Sequence, residues 1–182
     1  SADGKVTVEQ LEPLLAVQGN QHHAQPRVIS ITNVTELGAV YRPEEVRRLA
    51  DFAHSHGLLL HMDGARLPNA VAALGCDIAE LTWKAGLDAL SFGGVKDGLM
   101  FGEAVLLFSQ DAARIAPFAR KNITQLHSKT RFIGAQYEAL LADGLWLENA
   151  RHANAMARLL ESAVRACPGM EVAHPAEANM LF

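Results

Sequence analysis

Cysteine is nearly missing from this sequence of 182 residues: Cys76 and Cys167 stand far apart and outside any C-x-x-C spacing. That excludes a disulfide framework and a zinc knuckle, so no metal site is expected, and a reducing compartment fits best. No apolar run approaches the roughly 18 to 20 residues a membrane span requires. The opening stretch SADGKVTVEQ has neither the basic nor the apolar region of a signal peptide, so a cytoplasmic location is expected. Blocks of Lys and Arg are also missing, and the formal net charge is −4, which gives no electrostatic basis for nucleic acid or an anionic membrane as partner. Neither an internal repeat nor a low-complexity segment is found. What the chain does hold is apolar material: 49% of its residues are hydrophobic, enough for one sizeable core or for one domain and part of another.

Along the chain, strand-like and helix-like segments alternate. VTVEQLEPLLAV (6–17) has apolar residues near helical spacing, with Pro13 permitting only a short or kinked helix, and GNQHHAQPR (19–27) is a loop. VISITNV (28–34) is β-branched and reads as a buried strand ending in Thr32 and Asn33. YRPEEVRRLADFAHSHG (41–57) is the clearest helix, with Pro43 and two Glu in its first turn, a stripe through Val46, Leu49, Phe52 and Ala53, and a closing Gly57. Strand LLLHM (58–62), short helical pieces, strand LDALSF (87–92) and strand GEAVLLFS (102–109) follow, the last pair close enough in sequence to be antiparallel. This order, with strands taken as apolar on both faces, predicts an α/β fold whose mostly parallel sheet is covered by helices. Residues 110–120 and 122–142 read as helical, 145–167 as a long helix stopped by Pro168–Gly169, and MEVAH and NMLF as a strand pair. The expected organisation is a partial large domain over 1–142, then over 143–182 a bridging helix and the start of a small α+β domain. A polar beginning and an apolar strand-like end, EANMLF, suggest part of a longer polypeptide.

Ligands of an open parallel sheet gather at the carboxyl ends of its strands, which here carry Asn33, Asp63 and Lys96. LLLHMDGARLPNA (58–70) leads out of a buried strand into His61, Asp63 and Arg66. A carboxylate there either caps the next helix or meets a cationic ligand atom. SFGGVKDG sets Lys96 among glycines just beyond a strand, either as a surface lysine of a turn or as an amine poised to attack a carbonyl. Pyridoxal phosphate would join the two, since it offers an aldehyde to a lysine and a ring nitrogen that a carboxylate keeps protonated.

HMDGAR, followed 33 positions after Asp63 by Lys96 in SFGGVKDG, resembles the paired signature of low-specificity L-threonine aldolases, within the fold type I, aspartate aminotransferase-like enzymes that use pyridoxal phosphate. The likeness extends over nearly the whole chain through HHAQPRVISITNVTELGAVYRPEEV, GEAV and RKNITQLHSKTRFIGAQYEALLADGLWLENARHANAMARLL. It implies that Lys96 forms a Schiff base with pyridoxal phosphate and that Asp63 binds the pyridine nitrogen. Arg66 would hold the substrate carboxylate or sit beside the cofactor. His22, or its neighbour His23, would be an acid/base near the substrate hydroxyl, or else an exposed loop histidine. Asn33 would lie near the cofactor ring, or else satisfy a strand end. Lys121 and Arg131 would approach the phosphate, or else be exposed helix charges, while His61 is read as structural.

The implied reaction is retro-aldol cleavage of L-threonine, L-allo-threonine or a related β-hydroxy-α-amino acid to glycine and an aldehyde, in a homodimer or homotetramer with shared sites. A β-eliminating or other carbon–carbon lyase is the alternative within the superfamily, and a cofactor-free or inactive α/β fragment the alternative outside it. Val95 and Asp97 depart from the pattern, which usually carries Thr or Ser before the lysine and commonly Asn after it. Val95 cannot bond a phosphate, and an outward Asp97 would repel one. The family's phosphate-binding glycine turn and ring-stacking group are not recognisable in the sequence, nor is its further substrate arginine, so poor cofactor binding by this polypeptide alone is expected.

Overall fold

The computed structural model describes residues 2–182. Its sheet has the order β1 (Val28–Thr32), β2 (Leu59–Gly64), β3 (Ala89–Phe92), β4 (Ala104–Leu107). The first three strands are parallel and β4 closes the edge antiparallel to β3. Register sets Asp63 between Thr32 and Ser91. Because strand side chains alternate, Ile29, Ile31, Leu60, Met62, Leu90 and Phe92 all enter one core, packed under helix α2 (Pro43–Ser55) and helix α3 (Leu67–Leu74).

The opposite face corrects the expectation of strands apolar on both faces. Ser30, Thr32, His61, Asp63 and Ser91 lie there, and Val28 and Leu59 are about half exposed at 51% and 47%. The polar residues fall at every second position, so β1 and β2 read as alternating strands once paired.

Helix α2 forms as its sequence requires. Pro43 opens it, Glu45 accepts a bond from the Arg42 N–H at 2.7 Å, and Val46, Leu49, Ala50 and Ala53 are buried. Each large side chain so buried contributes about 1.5–3 kcal/mol. At the beginning of the chain, helix α1 (Val8–Leu11) passes into a 3-10 segment at Glu12–Val17 containing Pro13, the short helix expected there. The pieces after α3 are 3-10 turns at Ile78–Leu81 and Trp83–Ala85.

Beyond β4, one helical expectation needs correction. Helix α4 (Gln110–Asn122) stops, a loop follows, and helix α5 (Arg131–Leu141) starts afresh. Thr124 takes φ +62°, and the Arg120 side chain closes the break by donating to the Gln125 carbonyl (3.1 Å) and the Thr130 hydroxyl (3.3 Å). Helix α6 (Leu145–Ala166) lies along α3, joined by a buried amide pair: Asn69 Nδ2 donates to Asn154 Oδ1 at 3.1 Å, and Asn154 Nδ2 to the Asn69 carbonyl at 2.9 Å. MEVAH and NMLF do not form the expected strand pair. A single backbone bond, Ala173 N–H to the Phe182 carbonyl at 2.8 Å, joins them, and Pro175 in the intervening segment can donate nothing to a ladder.

Candidate active site

Asp63 sits on the open face at the carboxyl end of β2, partly exposed. Its Oδ1 accepts from the Ala65 N–H at 2.9 Å, an Asx turn rather than a helix cap, since α3 begins later and Arg66 stands at its N-cap position. Among the described residues, Oδ2 accepts no hydrogen bond. One oxygen thus fixes the carboxylate, and the other is left for a ligand. His61, one pleat below, is engaged structurally as read from the sequence: its Nδ1 meets the Ser30 hydroxyl at 2.8 Å and its Nε2 the Ser91 hydroxyl at 3.0 Å.

The loop after β3 docks directly on the loop after β2. Gly93 donates its N–H to the Gly64 carbonyl at 3.4 Å, and a Cβ on Gly93 would stand 2.5 Å from the Ala65 Cα. Only glycine allows the two backbones so close. The 3-10 turn Val95–Asp97 follows at once, so the loop that bears Lys96 touches the chain directly after Asp63.

Hydrogen bonds from several elements hold that turn. Gly94 N–H donates to Glu103 Oε2 (2.7 Å), the Tyr137 hydroxyl to the Phe92 carbonyl (3.1 Å), and Asn149 Nδ2 to the Asp97 carbonyl (2.8 Å), while the Gly94 carbonyl receives the Asp97 N–H at 3.1 Å. Burial and the nearby Glu103 charge push the Tyr137 phenol up to about 12, so it remains a donor. Glu103, Tyr137 and Asn149 were missed as functional residues by the sequence reading. GEAV is the signal that carried the first, and nothing periodic marks the other two.

The turn also answers the doubt over Asp97. Val95 and Lys96 are exposed, but Asp97 faces inward at 6% exposure, with Oδ2 buried and without a hydrogen-bond partner. Burial pushes its carboxyl up to about 7. It therefore adds no outward charge beside Lys96.

The other predicted residues are placed less centrally. Arg66 is largely buried, 3.7 Å from Glu36 Oε1, and its Nη1 has no hydrogen-bond partner. Asn33 is fully buried, with its Oδ1 accepting from the Tyr41 N–H at 3.1 Å and its Nδ2 donating to the Tyr41 carbonyl at 3.2 Å. Both ends of its amide are engaged in holding the loop after β1. His22 and His23 are exposed in a loop tied together by Gln25, and that loop leads into the amino end of β1, whereas Asp63 lies at the carboxyl end of β2. Lys121 lies in the last turn of α4 and Arg131 opens α5 with its guanidinium over the Phe132 ring, both exposed. The structure brings Asp63, Arg66 and the Lys96 turn together, and does not join His22, Lys121 or Arg131 to them.

Residues 1–182 match the family model described as beta-eliminating lyase. The chain belongs to the beta-eliminating lyase family. Among the relatives of this lyase-family chain, a low specificity L-threonine aldolase of a Pseudomonas species is 47% identical over 182 residues, covering 100% of the chain and 53% of the relative. The protein of the same description from Pseudomonas aeruginosa is 45% identical over 179 residues, covering 98% of the chain and 52% of the relative. A solved structure of a threonine aldolase from Leishmania major superposes with a TM-score of 0.88 at 34% identity, covering 100% of the chain and 53% of that structure. The chain spans about half the length of the curated relatives it matches.

The residues of this beta-eliminating lyase chain fit pyridoxal phosphate on three observations. Asp63 keeps one oxygen unbonded on the open face, Lys96 is exposed on a turn that follows the Gly93 contact with Ala65, and the buried Arg66 Nη1 makes no hydrogen bond, its charge facing only Glu36 at 3.7 Å. Among the described residues, no cluster of His, Cys, Asp or Glu suits a metal ion, and no helix is long and apolar enough to cross a membrane.

Proposed function

We propose that this chain carries the lysine- and aspartate-bearing part of a pyridoxal-phosphate-dependent aldolase, which cleaves L-threonine, L-allo-threonine or related β-hydroxy-α-amino acids to glycine and an aldehyde. The observation that carries this reading is the docking of Gly93 on Gly64 and Ala65, which sets Lys96 and Asp63 at one end of adjacent parallel strands. The names and identities of the Pseudomonas relatives support the substrate class.

When bound, the cofactor supplies a conjugated ring that accepts the electron pair of the breaking Cα–Cβ bond. Lys96 Nζ would be the amine that holds the cofactor through its aldehyde, with water released. Asp63 would keep a proton on the pyridine nitrogen, and the Ala65 N–H holds its Oδ1 and so fixes the plane of the carboxylate. Arg66 receives the substrate carboxylate in a forked pair of hydrogen bonds. We assign His22 to proton exchange at the β-hydroxyl and Lys121 and Arg131 to the phosphate. Asn33 supports the cofactor side through the loop it holds. The assembly is a homodimer or homotetramer in which copies share their sites, in the cytoplasm. Residues 1–142 form part of a large domain, and 143–182 a bridging helix and the start of a smaller one.

Borohydride reduction of the full-length protein loaded with cofactor tests the reading: intact mass should rise by one reduced cofactor per chain, with the adduct on Lys96, and Lys96→Ala should abolish it. An equal adduct in Lys96→Ala overturns the assignment. The family description keeps one second reading in view, a β-elimination that would release ammonia and a keto acid in place of glycine and an aldehyde. Product analysis separates the two.

A further inference from the structure

We propose that Asp97 is a positioning residue for Lys96: its inward side chain, seated beneath the turn, sets the lysine on the outer face, and the turn loosens when that side chain leaves its seat. This rests on the reading of Lys96 as the cofactor-binding amine.

The geometry leaves Asp97 little freedom. Its carbonyl is gripped by Asn149 Nδ2 at 2.8 Å, and its N–H is tied to the Gly94 carbonyl, which also receives the Leu99 N–H at 3.0 Å. Gly98 follows at φ +126°, a conformation L side chains rarely adopt, with the place of its absent Cβ 3.2 Å from Asn149 Nδ2. With the backbone held on both sides, the side chain points inward, and Oδ2 is buried without a partner. A neutral acid tolerates that position far better than a carboxylate does.

No neighbouring charge relieves it. Helix α6 presents the neutral amide of Asn149, with Glu148 beside it exposed to solvent; α5 presents the protonated Tyr137; and the approach to β4 presents Glu103, which is engaged with Gly94. Lys96, the adjacent cation, is exposed. Burial alone raises the carboxyl to about 7. Ionisation can be relieved only by moving the carboxylate toward water, and in a single 3-10 turn that movement carries Lys96 with it. Asn at this position supplies a neutral group of nearly the same shape, so Asp97 mimics it only while protonated.

The test uses the full-length protein free of cofactor. Competitive acetylation of Lys96, read by mass spectrometry against the other lysines, should show a step centred near pH 7 in addition to the ordinary rise with pH. Between about pH 6 and about pH 8 the ionised fraction of Asp97 rises roughly tenfold. Hydrogen exchange of the 94–99 segment, corrected for its intrinsic pH dependence, should rise over the same interval. Asp97→Asn should remove both steps and leave the acid-side values within about twofold. A step that survives in Asp97→Asn, or its absence from the unsubstituted protein, overturns the proposal. If Asp97→Asn does not fold, the exchange profile of the unsubstituted protein decides alone. Absence of the pH steps from the unsubstituted protein with the borohydride adduct on Lys96 intact would sink this inference and spare the proposed function, whereas an adduct elsewhere would sink that function.

Discussion

Gly93 and Ala65 meet backbone to backbone: a Cβ on Gly93 would lie 2.5 Å from the Ala65 Cα and 2.9 Å from the Ala65 carbonyl oxygen. Since neither atom belongs to a flexible side chain, Gly93→Ala must push the two loops apart. The expected cost is about 1–3 kcal/mol, accompanied by loss of cofactor binding because Lys96 moves away from Asp63. Gly134→Ala is the matched control, because a Cβ there meets nothing within 4 Å and the residue lies inside α5. It should be neutral, or stabilising by up to about 1 kcal/mol. Calorimetry of both variants decides, and equal melting temperatures would refute the close-contact argument.

Tyr137 reaches the same loops from a helix distant in sequence. Tyr137→Phe removes the hydroxyl that donates to the Phe92 carbonyl at 3.1 Å and leaves the ring in place against Phe92. The loss in stability should be about 1 kcal/mol. Absorbance titration with pyridoxal phosphate should show affinity falling several-fold, with the helical circular dichroism unchanged. Unchanged affinity would mean that the turn keeps its shape without this bond.

Asp97 gives the fold a pH dependence of definite sign. Its carboxyl is raised from 3.8 to about 7 by burial, so the folded state binds the proton more tightly than the unfolded chain. Its contribution is therefore fully present below the unfolded value, declines through the interval from 3.8 to about 7, and stays lost above it. Asp97→Asn should flatten that decline and make the protein more stable than the original on the alkaline side, by on the order of 2–4 kcal/mol. Urea unfolding across that pH interval measures it. A variant that is less stable at every pH would contradict the sign.

The parts of this site that were legible in the sequence are those with a local cause. β-Branched Val28, Ile29 and Ile31, and Pro43 followed by two glutamates, determine a strand and a helix start from their own chemistry, and the alternation of such segments implies the parallel order. Asp63 and Lys96 could be picked out because one stands at the carboxyl end of a strand and the other just beyond the strand that pairs with it. The break at 123–130 was not legible, since it depends on the Arg120 side chain closing on Gln125 and Thr130, whose periodicity with their neighbours still looks helical. The inward aim of Asp97 depends on a 3-10 turn and on Asn149, 52 residues away. Side chains that act singly across such separations leave no period to detect, and the same holds for Glu103 and Tyr137.

Asn154 presents that kind of long-range bond in its most isolated form. It is buried at 1% exposure in the middle of α6 and joins Asn69, 85 residues earlier, by bonds in both directions. The Asn69 carbonyl lies in α3, directly after Arg66, whose own carbonyl accepts the Asn69 N–H at 3.0 Å. The amide pair thus fixes the helix at whose N-cap position the candidate substrate-binding arginine stands. Asn154→Ala leaves a buried donor and a buried acceptor unmatched, and each costs about 1–3 kcal/mol. Asn69→Leu removes the side-chain donor but keeps the backbone carbonyl, so adding it to Asn154→Ala should recover only part of the loss. A double-mutant cycle in urea should give a coupling between the two sites of about 0.5–3 kcal/mol. Strict additivity would mean that the two helices are held by their apolar contacts alone and that the amide pair merely occupies the space between them.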